Sequence, residues 1–523
     1  MATVGEGGPA PAHSDRRPAI VFIGFMGAGK TSAANAARAA GMPAIEADDL
    51  VEDGIGMPIA RFFGKRGEAE FRSLEEAEVG QLLEDADGGA IALGGGAVGS
   101  ERVRKALRRH VAVWLRVSAD EAWRRVEGTA RPLARDRARF EALHAEREPI
   151  YEALADAILP AGDEGMVARA LPALRGLAEM PPGARMAWAR SESGEYPAFV
   201  GEGILDSGFW PLESRRFCVT DTAVGGLYAD RVRPLEGLVE VEPGESAKTV
   251  AEAERVLREM TRLGVSRTDH LVALGGGVVG DLAGFCAATY QRGIEIVQVP
   301  TTLVAQVDSA YGGKTGVDLP EAKNYVGAYH LPSAVLADPS TLGSLPSEEM
   351  AAGFVEVVKT ALIAGGGLWE RVRGLQRLDP AELGDAIFDC ARTKLEIVAA
   401  DERDGGERAA LNLGHTVGHA IEAASGYERY RHGEAVGLGL LAALRISGAA
   451  GLRDEVAEIL ASHGLPTTLV AAVDTDAVLE AIDRDKKRTA AGVGFVLLET
   501  PGEAMVGRIV DPGTVRDAIE ELR

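Results

Sequence analysis

Residues 19–31 read AIVFIGFMGAGKT, an apolar run followed by a glycine-rich turn and the start of an alanine-rich helical stretch. The part from Gly24 to Thr31 matches the pattern G-x-x-x-x-G-K-[ST]. Glycines let backbone N–H groups curl around a phosphate, and the positive end of the following helix adds to the attraction. A glycine-rich turn that binds nothing is the plain alternative, but the full match favours a nucleotide site. Its predicted residues are Gly27 and Gly29 in the loop, Lys30 at the β- and γ-phosphates, and the Thr31 hydroxyl facing Mg²⁺.

The sequence around this loop predicts a parallel α/β domain. Apolar segments at 90–93 and 111–117 alternate with helical patterns, and 167–177 is typical of a closing helix. We therefore predict a domain over 18–177, preceded by a disordered tail at 1–17. The proline- and glycine-containing stretch 178–186 is predicted to be a linker.

A second α/β pattern follows the linker. Buried strands are predicted at 217–220, 270–274 and 295–299, with helices between them, and the pattern predicts a Rossmann-like subdomain over 187–344. From about residue 345 the pattern changes to long amphipathic stretches, which predict a mostly helical subdomain over 345–523. A short β-like piece stands at 494–498.

The composition and charge of the chain disfavour several classes of partner. The chain has 523 residues and a net charge of −23, which disfavours nucleic acid and anionic membranes as partners. The sequence has no apolar segment long enough for a spanning helix. Three cysteines lie far apart and fit a reducing compartment, so we expect a cytoplasmic protein.

Several motifs after the phosphate loop indicate which kind of nucleotide-binding protein the first half resembles. They are Glu46-Ala-Asp48-Asp-Leu-Val-Glu52, Phe71-Arg72-x-x-Glu75, Gly94-Gly-Gly96, Arg131-Pro-Leu133 and Arg147. With the loop, they resemble shikimate kinase over about 18–177. The resemblance implies transfer of phosphate from ATP with Mg²⁺ to shikimate. By position, the resemblance implies that Asp48 binds a substrate hydroxyl and that Arg72 and Arg147 bind the shikimate carboxylate. It also implies that the backbone of Gly94, Gly95 and Gly96 approaches the substrate closely. Arg131 is by resemblance the lid arginine near the transferred phosphoryl group.

The sequence departs from the family pattern at two places where a change would affect the rate of the kinase. Glu46 stands where the family has an aspartate on the Mg²⁺ side, and the segment between Arg131 and Arg147 is short for a lid. We hypothesise that Glu46 serves Mg²⁺ through water. The alternatives for this half are a different small-molecule kinase and a non-catalytic nucleotide-binding module that regulates its partner.

Histidine clustering points to a metal in the second half. The chain has nine histidines, and three of them, His415, His419 and His432, lie within 18 residues of one another. His415 and His419 are four apart and share a helix face, which fits a ligand plus a base, or two ligands. With Glu356 of the E-V-V-K stretch 356–359, a site of two histidines and one carboxylate becomes the better hypothesis. Three protein ligands and an open position are the pattern of catalytic zinc.

A second glycine-rich turn, GGGVVGD at 275–281, follows a predicted strand and precedes a helix. It suits the pyrophosphate of a dinucleotide, although it is not the G-x-G-x-x-G fingerprint.

These motifs resemble 3-dehydroquinate synthase over about residue 197 to the C-terminus, together with Pro243-Gly-Glu245-x-x-Lys248, Pro300-Thr-Thr302, Asp308-Ser-Ala-Tyr-Gly-Gly-Lys314, Lys323-Asn324, Arg408-x-x-x-Asn412 and Asp485-Lys-Lys487. The resemblance implies that NAD⁺ transiently oxidises 3-deoxy-arabino-heptulosonate 7-phosphate, which is converted to 3-dehydroquinate and phosphate. It implies a Zn²⁺ (or Co²⁺) site of Glu356, His415 and His432. The implied NAD⁺ residues are Asp221, Glu245, Lys248, Gly276, Gly277, Asp281, Thr301, Thr302 and Lys323. The implied substrate residues are Arg292, Asp308, Lys314, Asn324, Lys359, Lys394, Arg408, Asn412, His419 and one of Lys486 and Lys487, which the sequence does not resolve.

Among these residues, Asn412 and His419 are the candidates for proton relay near the phosphate. A homodimer through this half stays open. The alternative for this half is a metal-dependent polyol dehydrogenase. It would release NADH, and it would not need the cations around an anionic substrate, namely Lys314, Lys323, Lys394 and Arg408.

Overall fold

A computed structural model of the chain describes residues 16–128, 136–162, 165–486 and 494–523, without the side chains of 485 and 486. The chain divides between Trp188 and Ala189 into two compact units. Of the predicted tail, 1–15 lie outside the described residues. Arg16 donates a hydrogen bond to the carbonyl of Glu84, 2.7 Å away, so the end of the predicted tail is attached to the first unit.

The first unit is a parallel α/β fold. Its elements are β1 (Ile20–Ile23), α1 (Lys30–Ala39), β2 (Ala44–Glu46), α2 (Ala47–Ile55), α3 (Ile59–Arg66), α4 (Glu68–Asp85), β3 (Ala90–Ala92), α5 (Glu101–Leu107), β4 (Val111–Arg116), α6 (Ala119–Val126), α7 (Arg137–Leu154), β5 (Ala157–Pro160), α8 (Met166–Leu177) and β6 (Arg185–Arg190). The strands pair in the order β2-β3-β1-β4-β5-β6, all parallel. Strands β1 and β4 are short apolar runs that are buried almost throughout, as expected for central parallel strands.

Strand β6 overlaps the predicted linker. Met186 and Ala187 pair with Ala157 and Ile158 of β5, because the apolar run 186–189 is buried and extends the sheet. The linker predicted at 178–186 is therefore partly strand.

The second unit begins with another parallel sheet. Its α/β part comprises β7 (Glu195–Val200), β8 (Arg216–Asp221), α9 (Thr222–Tyr228), β9 (Gly237–Val241), α10 (Val250–Arg262), β10 (His270–Gly275), α11 (Gly277–Thr289), β11 (Glu295–Pro300), β12 (Lys314–Leu319), β13 (Ala322–Tyr329) and β14 (Ala334–Ala337). The strands pair in the order β7-β14-β11-β10-β8-β9. The order reverses beside β10, and ligands bind at such switch points in open α/β sheets. Strands β12 and β13 form a separate antiparallel hairpin.

The rest of the second unit is mostly helical, as the sequence predicts. It comprises α12 (Ser347–Ala364), α13 (Gly366–Arg373), α14 (Pro380–Ala400), α15 (His415–Ala424), α16 (His432–Ile446), α17 (Ala450–Ser462), α18 (Thr475–Lys486), β15 (Phe495–Leu498), β16 (Ala504–Arg508) and α19 (Pro512–Glu520). Helix α16 packs against both α12 and α15, and these three helices carry the histidines and Glu356. The fold class predicted from the sequence is confirmed. In the part of the chain that the structure describes, no helix has the length and apolarity to cross a membrane.

Candidate active sites

The glycine-rich loop of the first unit has the conformation that its glycines permit. Gly29 adopts a φ of 94° at the start of α1, and Gly27 a φ of 82°, values that side chains rarely tolerate. Lys30 Nζ donates hydrogen bonds to the carbonyl oxygens of Gly24 and Phe25, at 2.7 and 2.9 Å. The loop is thus closed around the lysine at the N-terminus of a helix, which is a ready site for a phosphate.

Glu46 lies directly against the loop. The Thr31 hydroxyl donates a hydrogen bond to Oε2 of Glu46, 2.7 Å away. The longer side chain therefore still reaches the position beside Thr31 that the sequence assigns to the Mg²⁺ side.

The predicted substrate residues meet around the triple glycine. Arg147 Nη1 donates to the carbonyl of Gly95 at 3.1 Å. A Cβ on Gly94 would lie 2.6 Å from Oδ1 of Asp48, and one on Gly96 would overlap the guanidinium of Arg72, so a side chain at either position would displace a predicted substrate residue.

One cavity of about 1440 Å³ connects the two groups. Its lining includes the loop residues and the substrate residues, namely Gly27, Gly29, Lys30, Thr31, Glu46, Asp48, Arg72, Gly94, Gly95, Gly96 and Arg147. Arg131 of the predicted lid, with the rest of the motif 131–133, lies outside the described residues.

Three residues without a predicted role also reach this cavity or its walls. Glu75 accepts a hydrogen bond from Arg72 at 2.5 Å and is buried, which raises its pKa despite the arginine. Tyr151 donates to the carbonyl of Gly95 at 2.6 Å, and burial raises its pKa to about 12. Arg125 donates to the carbonyl of Gly27 at 3.0 Å. Glu75 was visible in the motif that begins at Phe71, whereas nothing in the sequence singles out Arg125 or Tyr151.

The second unit places its glycine-rich turn at the carboxyl end of β10. Helix α11 begins at Gly277, and a Cβ on Gly276 would lie 2.8 Å from the Thr302 side chain. Asp221 ends the neighbouring β8 and caps α9 by accepting from the backbone N–H groups of Ala223 and Val224. The predicted dinucleotide residues therefore lie at the carboxyl ends of adjacent strands.

Two features of this edge suit a polar ligand. The Thr301 hydroxyl is buried, and it has no hydrogen-bond partner in the described chain. Lys248 Nζ lies 2.7 Å from Asp281 and 3.8 Å from Glu245, and this buried lysine keeps a raised pKa because the carboxylates outweigh the effect of burial.

A buried group of charges surrounds Asp308. Lys394 Nζ donates to its carboxylate and to its carbonyl oxygen, the latter at 2.6 Å, and Lys359 Nζ lies 3.8 Å from Oδ2. Burial would raise the pKa of Asp308, but the two lysines lower it to about 2. Burial lowers the pKa of Lys394 although Asp308 opposes this.

Glu356 joins this group to the histidines. Its residue exposure is 0%, and Oε2 lies 2.5 Å from Lys359 Nζ. Oε1 lies 3.7 Å from Nε2 of His415 and 3.6 Å from Nε2 of His432. Ring nitrogens of His415, His419 and His432 lie within 4.8 Å of one another. The structure thus brings together the three predicted metal ligands and His419.

The donor set fits a divalent metal. Oε1 of Glu356 is buried, accepts no hydrogen bond from the described residues and faces the two imidazoles, whereas Oε2 is held by the Lys359 ammonium. Burial lowers the pKa of His415 to about 3, and the nearby lysine adds to the effect, so this ring is neutral and has a lone pair to offer. Two imidazoles and one carboxylate are a common catalytic zinc set.

Two of the predicted substrate cations, Arg408 and Lys314, have protein partners of their own. Arg408 is buried and donates to the carbonyl oxygens of Glu402 and Gly312, at 2.5 and 3.4 Å. Lys314 Nζ lies 2.5 Å from Asp404, an acidic residue that the sequence analysis missed.

The β12–β13 hairpin carries two further predicted residues, and Asn412 precedes the helix of the histidines. Lys323 stacks over the Tyr427 ring at 4.7 Å, and the N–H of Asn324 donates to Asp318 at 2.6 Å. Asn412 is exposed at the end of a 3₁₀ segment, three residues before His415.

For Arg292 the structure shows no contact with the charged group among the described residues, and the Lys486–Lys487 pair is only partly described. Arg292 is exposed, adopts a φ of 72°, and follows the C-terminal end of α11, whereas Gly277 begins that helix. The thirteen residues of α11 span about 20 Å, so Gly277 and Arg292 lie at opposite ends of this helix. Lys486 ends α18, but its side chain, like the whole of Lys487, lies outside the described residues.

Comparison with known proteins gives a family for each half of the chain. A family model described as shikimate kinase matches residues 26–172. Models for the N-terminal and C-terminal parts of 3-dehydroquinate synthase match 238–352 and 353–488.

Individual relatives match the second unit over nearly their whole length. The chain is 44% identical to the 3-dehydroquinate synthase of Symbiobacterium thermophilum over 351 residues, which covers 63% of this chain and 98% of that protein. A crystal structure of 2-deoxy-scyllo-inosose synthase complexed with carbaglucose-6-phosphate, NAD⁺ and Co²⁺ is similar with a TM-score of 0.59 and 25% identity, covering 64% of this chain and 99% of that one. The 2-epi-5-epi-valiolone synthase from Streptomyces hygroscopicus subsp. jinggangensis 5008, with NAD⁺ and Zn²⁺ bound, gives a TM-score of 0.58 and 26% identity, covering 62% and 96%.

These matches set aside the polyol dehydrogenase and the other small-molecule kinases. The chain belongs to the 3-dehydroquinate synthase family and carries a shikimate kinase domain ahead of that synthase, so one polypeptide combines two activities of the shikimate pathway.

Proposed function

We propose that the P-loop domain, 18–177, binds MgATP and shikimate in one shared cavity, and that 187–344 and 345–523 together form the synthase site. The observation that supports the kinase part is the cavity itself, in which Lys30 and Thr31 share one space with Arg72 and Arg147. Lys30 would hold the β- and γ-phosphates, with Mg²⁺ beside Thr31 and Glu46. Arg72 and Arg147 would hold the carboxylate of shikimate, which suits their planar donors.

In the synthase site, Glu356, His415 and His432 would hold Zn²⁺ or Co²⁺. The supporting observation is Oε1 of the buried Glu356 carboxylate, which accepts no hydrogen bond from the described residues while two imidazoles face it. When bound, the metal supplies Lewis-acid polarisation of a substrate oxygen, and NAD⁺ supplies reversible hydride acceptance.

The chain's own residues would handle the charges and protons of 3-deoxy-arabino-heptulosonate 7-phosphate. Arg408 and Lys394 present cations in a largely water-excluded site, where they attract the phosphate and the carboxylate of the substrate more strongly than they would in water. His419 beside the ligand histidines would move a proton near the departing phosphate, and Asn412 would orient that group. Because the hydride returns to the substrate, turnover leaves no net NADH.

The buried unpaired hydroxyl of Thr301 supports the NAD⁺ assignment. A hydroxyl buried without a partner costs free energy, and a ligand group at the carboxyl edge of the sheet would satisfy it. The same edge carries Asp221, Gly276 and Gly277 on strands β8 and β10.

We also propose a homodimer in which Arg292 acts on the site of a second copy. Arg292 is a substrate residue by resemblance, yet it follows the far end of α11 from Gly277. A second copy could supply it. Co-expression of Arg292→Ala with His415→Ala, each inactive alone, should restore about a quarter of the activity through mixed dimers. Failure to restore activity would contradict the shared site.

The enzyme would work in the cytoplasm. Its three cysteines, Cys218, Cys286 and Cys390, are free and buried, in keeping with a reducing compartment.

A paired assay on the full-length protein tests both halves. One reaction contains 3-deoxy-arabino-heptulosonate 7-phosphate, catalytic NAD⁺ and Zn²⁺, and records phosphate release. The other contains shikimate and MgATP, and records ADP. We expect phosphate release without net NADH that a zinc chelator abolishes, and ADP only with shikimate. ATP binding without turnover would instead support a regulatory role for the first domain.

A further inference from the structure

The ring of His432 faces a carboxylate on each side. Its Nε2 lies 3.6 Å from Oε1 of Glu356, and its Nδ1 lies 3.4 Å from Oε2 of Glu422. A neutral imidazole has one N–H and one lone pair. If Nδ1 carries the hydrogen and donates it to Glu422, the lone pair of Nε2 points toward Glu356. When a cation takes the place of a hydrogen at Nε2, Glu422 would accept the remaining Nδ1–H and so fix the direction of the ring.

The fold brings Glu422 to this place through helix spacing. Glu422 follows His415 by seven positions and His419 by three, so the three side chains share one face of α15. Helix α15 packs against α16, which begins at His432. The histidine of one helix thus meets the carboxylate of the other.

His415 offers an internal comparison. Its Nε2 also faces Glu356, and its Nδ1 lies 3.2 Å from the carbonyl oxygen of Leu413. In both rings an acceptor therefore lies beside Nδ1, while Nε2 faces the same carboxylate of Glu356. The holding group is a backbone carbonyl for His415 and a charged side chain for His432.

Glu422 is 6% exposed, so keeping its carboxylate here costs free energy that a partner must offset. Its backbone carbonyl has a separate task, because it accepts from the N–H of Tyr427 at 2.8 Å and from the Ser425 hydroxyl at 3.0 Å. A substitution at the side chain leaves those backbone contacts in place. The carboxylate itself serves His432.

We propose that Glu422 is a positioning residue of the metal centre, which holds His432 with Nε2 toward Glu356 and strengthens binding of a divalent cation. The inference rests on the metal site proposed above and assigns it a residue beyond the three ligands. Carboxylate partners of ligand histidines increase ligand basicity, and their loss weakens metal affinity by about 10- to 100-fold.

The test measures metal affinity directly on metal-free, full-length protein. Co²⁺ is titrated in competition with a chromophoric chelator for the wild type, Glu422→Ala and Glu422→Gln. We expect Glu422→Ala to bind about 10- to 100-fold more weakly and to show an altered Co²⁺ absorption spectrum. Glu422→Gln should lose less, because the amide oxygen can still accept from Nδ1–H but lacks the charge. Synthase activity should recover at saturating metal, which a residue that reacts with substrate would not allow.

Two controls separate the possible failures. Glu428→Gln removes an exposed carboxylate from the same connection between α15 and α16 and should bind Co²⁺ like the wild type. Wild-type Co²⁺ affinity in a Glu422→Ala protein with a normal melting curve would overturn the positioning role alone. A wild type that binds Co²⁺ no better than His415→Ala would overturn the metal site itself, and the positioning role with it.

Discussion

The phosphate loop of the first unit and the charge cluster of the second build their sites in opposite ways. The loop is one continuous stretch of eight residues, its shape comes from backbone conformation, and it lines an open cavity of about 1440 Å³. The cluster joins Asp308, Glu356 and Lys394 from distant segments, and its ion pairs are largely removed from water. In the loop, we expect that one side chain can be removed without destabilising the others. In the cluster, each charge is tolerated because another is present.

The largest effect is therefore expected from breaking the cluster at Glu356. Glu356→Ala removes a predicted metal ligand and leaves Lys359, 1% exposed, without its closest carboxylate. Loss of one partner of a buried pair costs about 3–5 kcal/mol of unfolding free energy. We expect synthase turnover to fall by about 10³-fold or more, because several kcal/mol of Lewis-acid stabilisation are lost. Denaturant unfolding and phosphate release measure the two effects.

Glu349→Ala is the matched control, because Glu349 lies on the same helix, α12, and pairs with Arg431 at the surface. Its unfolding free energy should change by about 1 kcal/mol or less. Shikimate phosphorylation should stay unchanged in both proteins. If Glu356→Ala unfolded like the wild type, the buried pair would not hold the second unit together.

Lys30→Met tests the phosphate loop, where we expect a loss of activity without a loss of stability. Lys30 contacts carbonyl oxygens of its own loop and is only partly buried, so its removal should barely change stability. The transferred phosphate would lose one charged donor, and loss of such a donor costs about 10²–10³-fold in turnover. ADP formation should drop by that factor while phosphate release by the synthase is unaffected. An equal loss in both assays would mean that the two sites depend on each other.

The same contrast explains what the sequence could predict. The phosphate loop, the strand that precedes it and the triple glycine are local patterns, and the structure forms them where the patterns lie. The helical character of 345–460 followed from periodicity alone. Family motifs also identified Glu356 with His415 and His432, although 59 residues separate Glu356 from His415.

Long-range geometry could not be predicted in this way. The β12–β13 hairpin lies in a stretch rich in glycine and charge, without the alternation of a half-buried strand. Asp404 and Glu422 are ordinary acidic residues in sequence and gain meaning only when Lys314 and His432 approach them. Arg292 carries a family motif, but its separation from Gly277 depends on the length of α11.

A smaller effect on kinase activity is expected from a substitution at Gly96, which lies against the Arg72 side chain in the kinase cavity. A Cβ on Gly96 would overlap the guanidinium of Arg72, so Gly96→Ala must displace that side chain. Displacement of a positioning group by about 1 Å can cost about 10²-fold. We expect the KM for shikimate to rise by about 10- to 100-fold with little change in the KM for ATP. Gly99→Ala, where a Cβ meets open space, should behave like the wild type. Equal KM values for Gly96→Ala and the wild type would mean that Arg72 does not hold shikimate.

The smallest effect is expected at Glu46, where this chain departs from its family. Glu46 accepts from the Thr31 hydroxyl at 2.7 Å, and Mg²⁺ usually keeps several of its waters when a protein binds it, so we expect Glu46 to act through one of them. A water-mediated contact tolerates a change of one methylene, so Glu46→Asp should alter turnover by about five-fold or less. Glu46→Ala removes the charge and should raise the Mg²⁺ concentration for half-maximal ADP formation by about ten-fold, or about 1.4 kcal/mol. Asp49→Ala, at a nearby acidic residue to which the family pattern assigns no contact with Mg²⁺, is the control. Normal Mg²⁺ dependence in Glu46→Ala would contradict the role, and it would mean that Thr31 and the phosphates alone retain the ion.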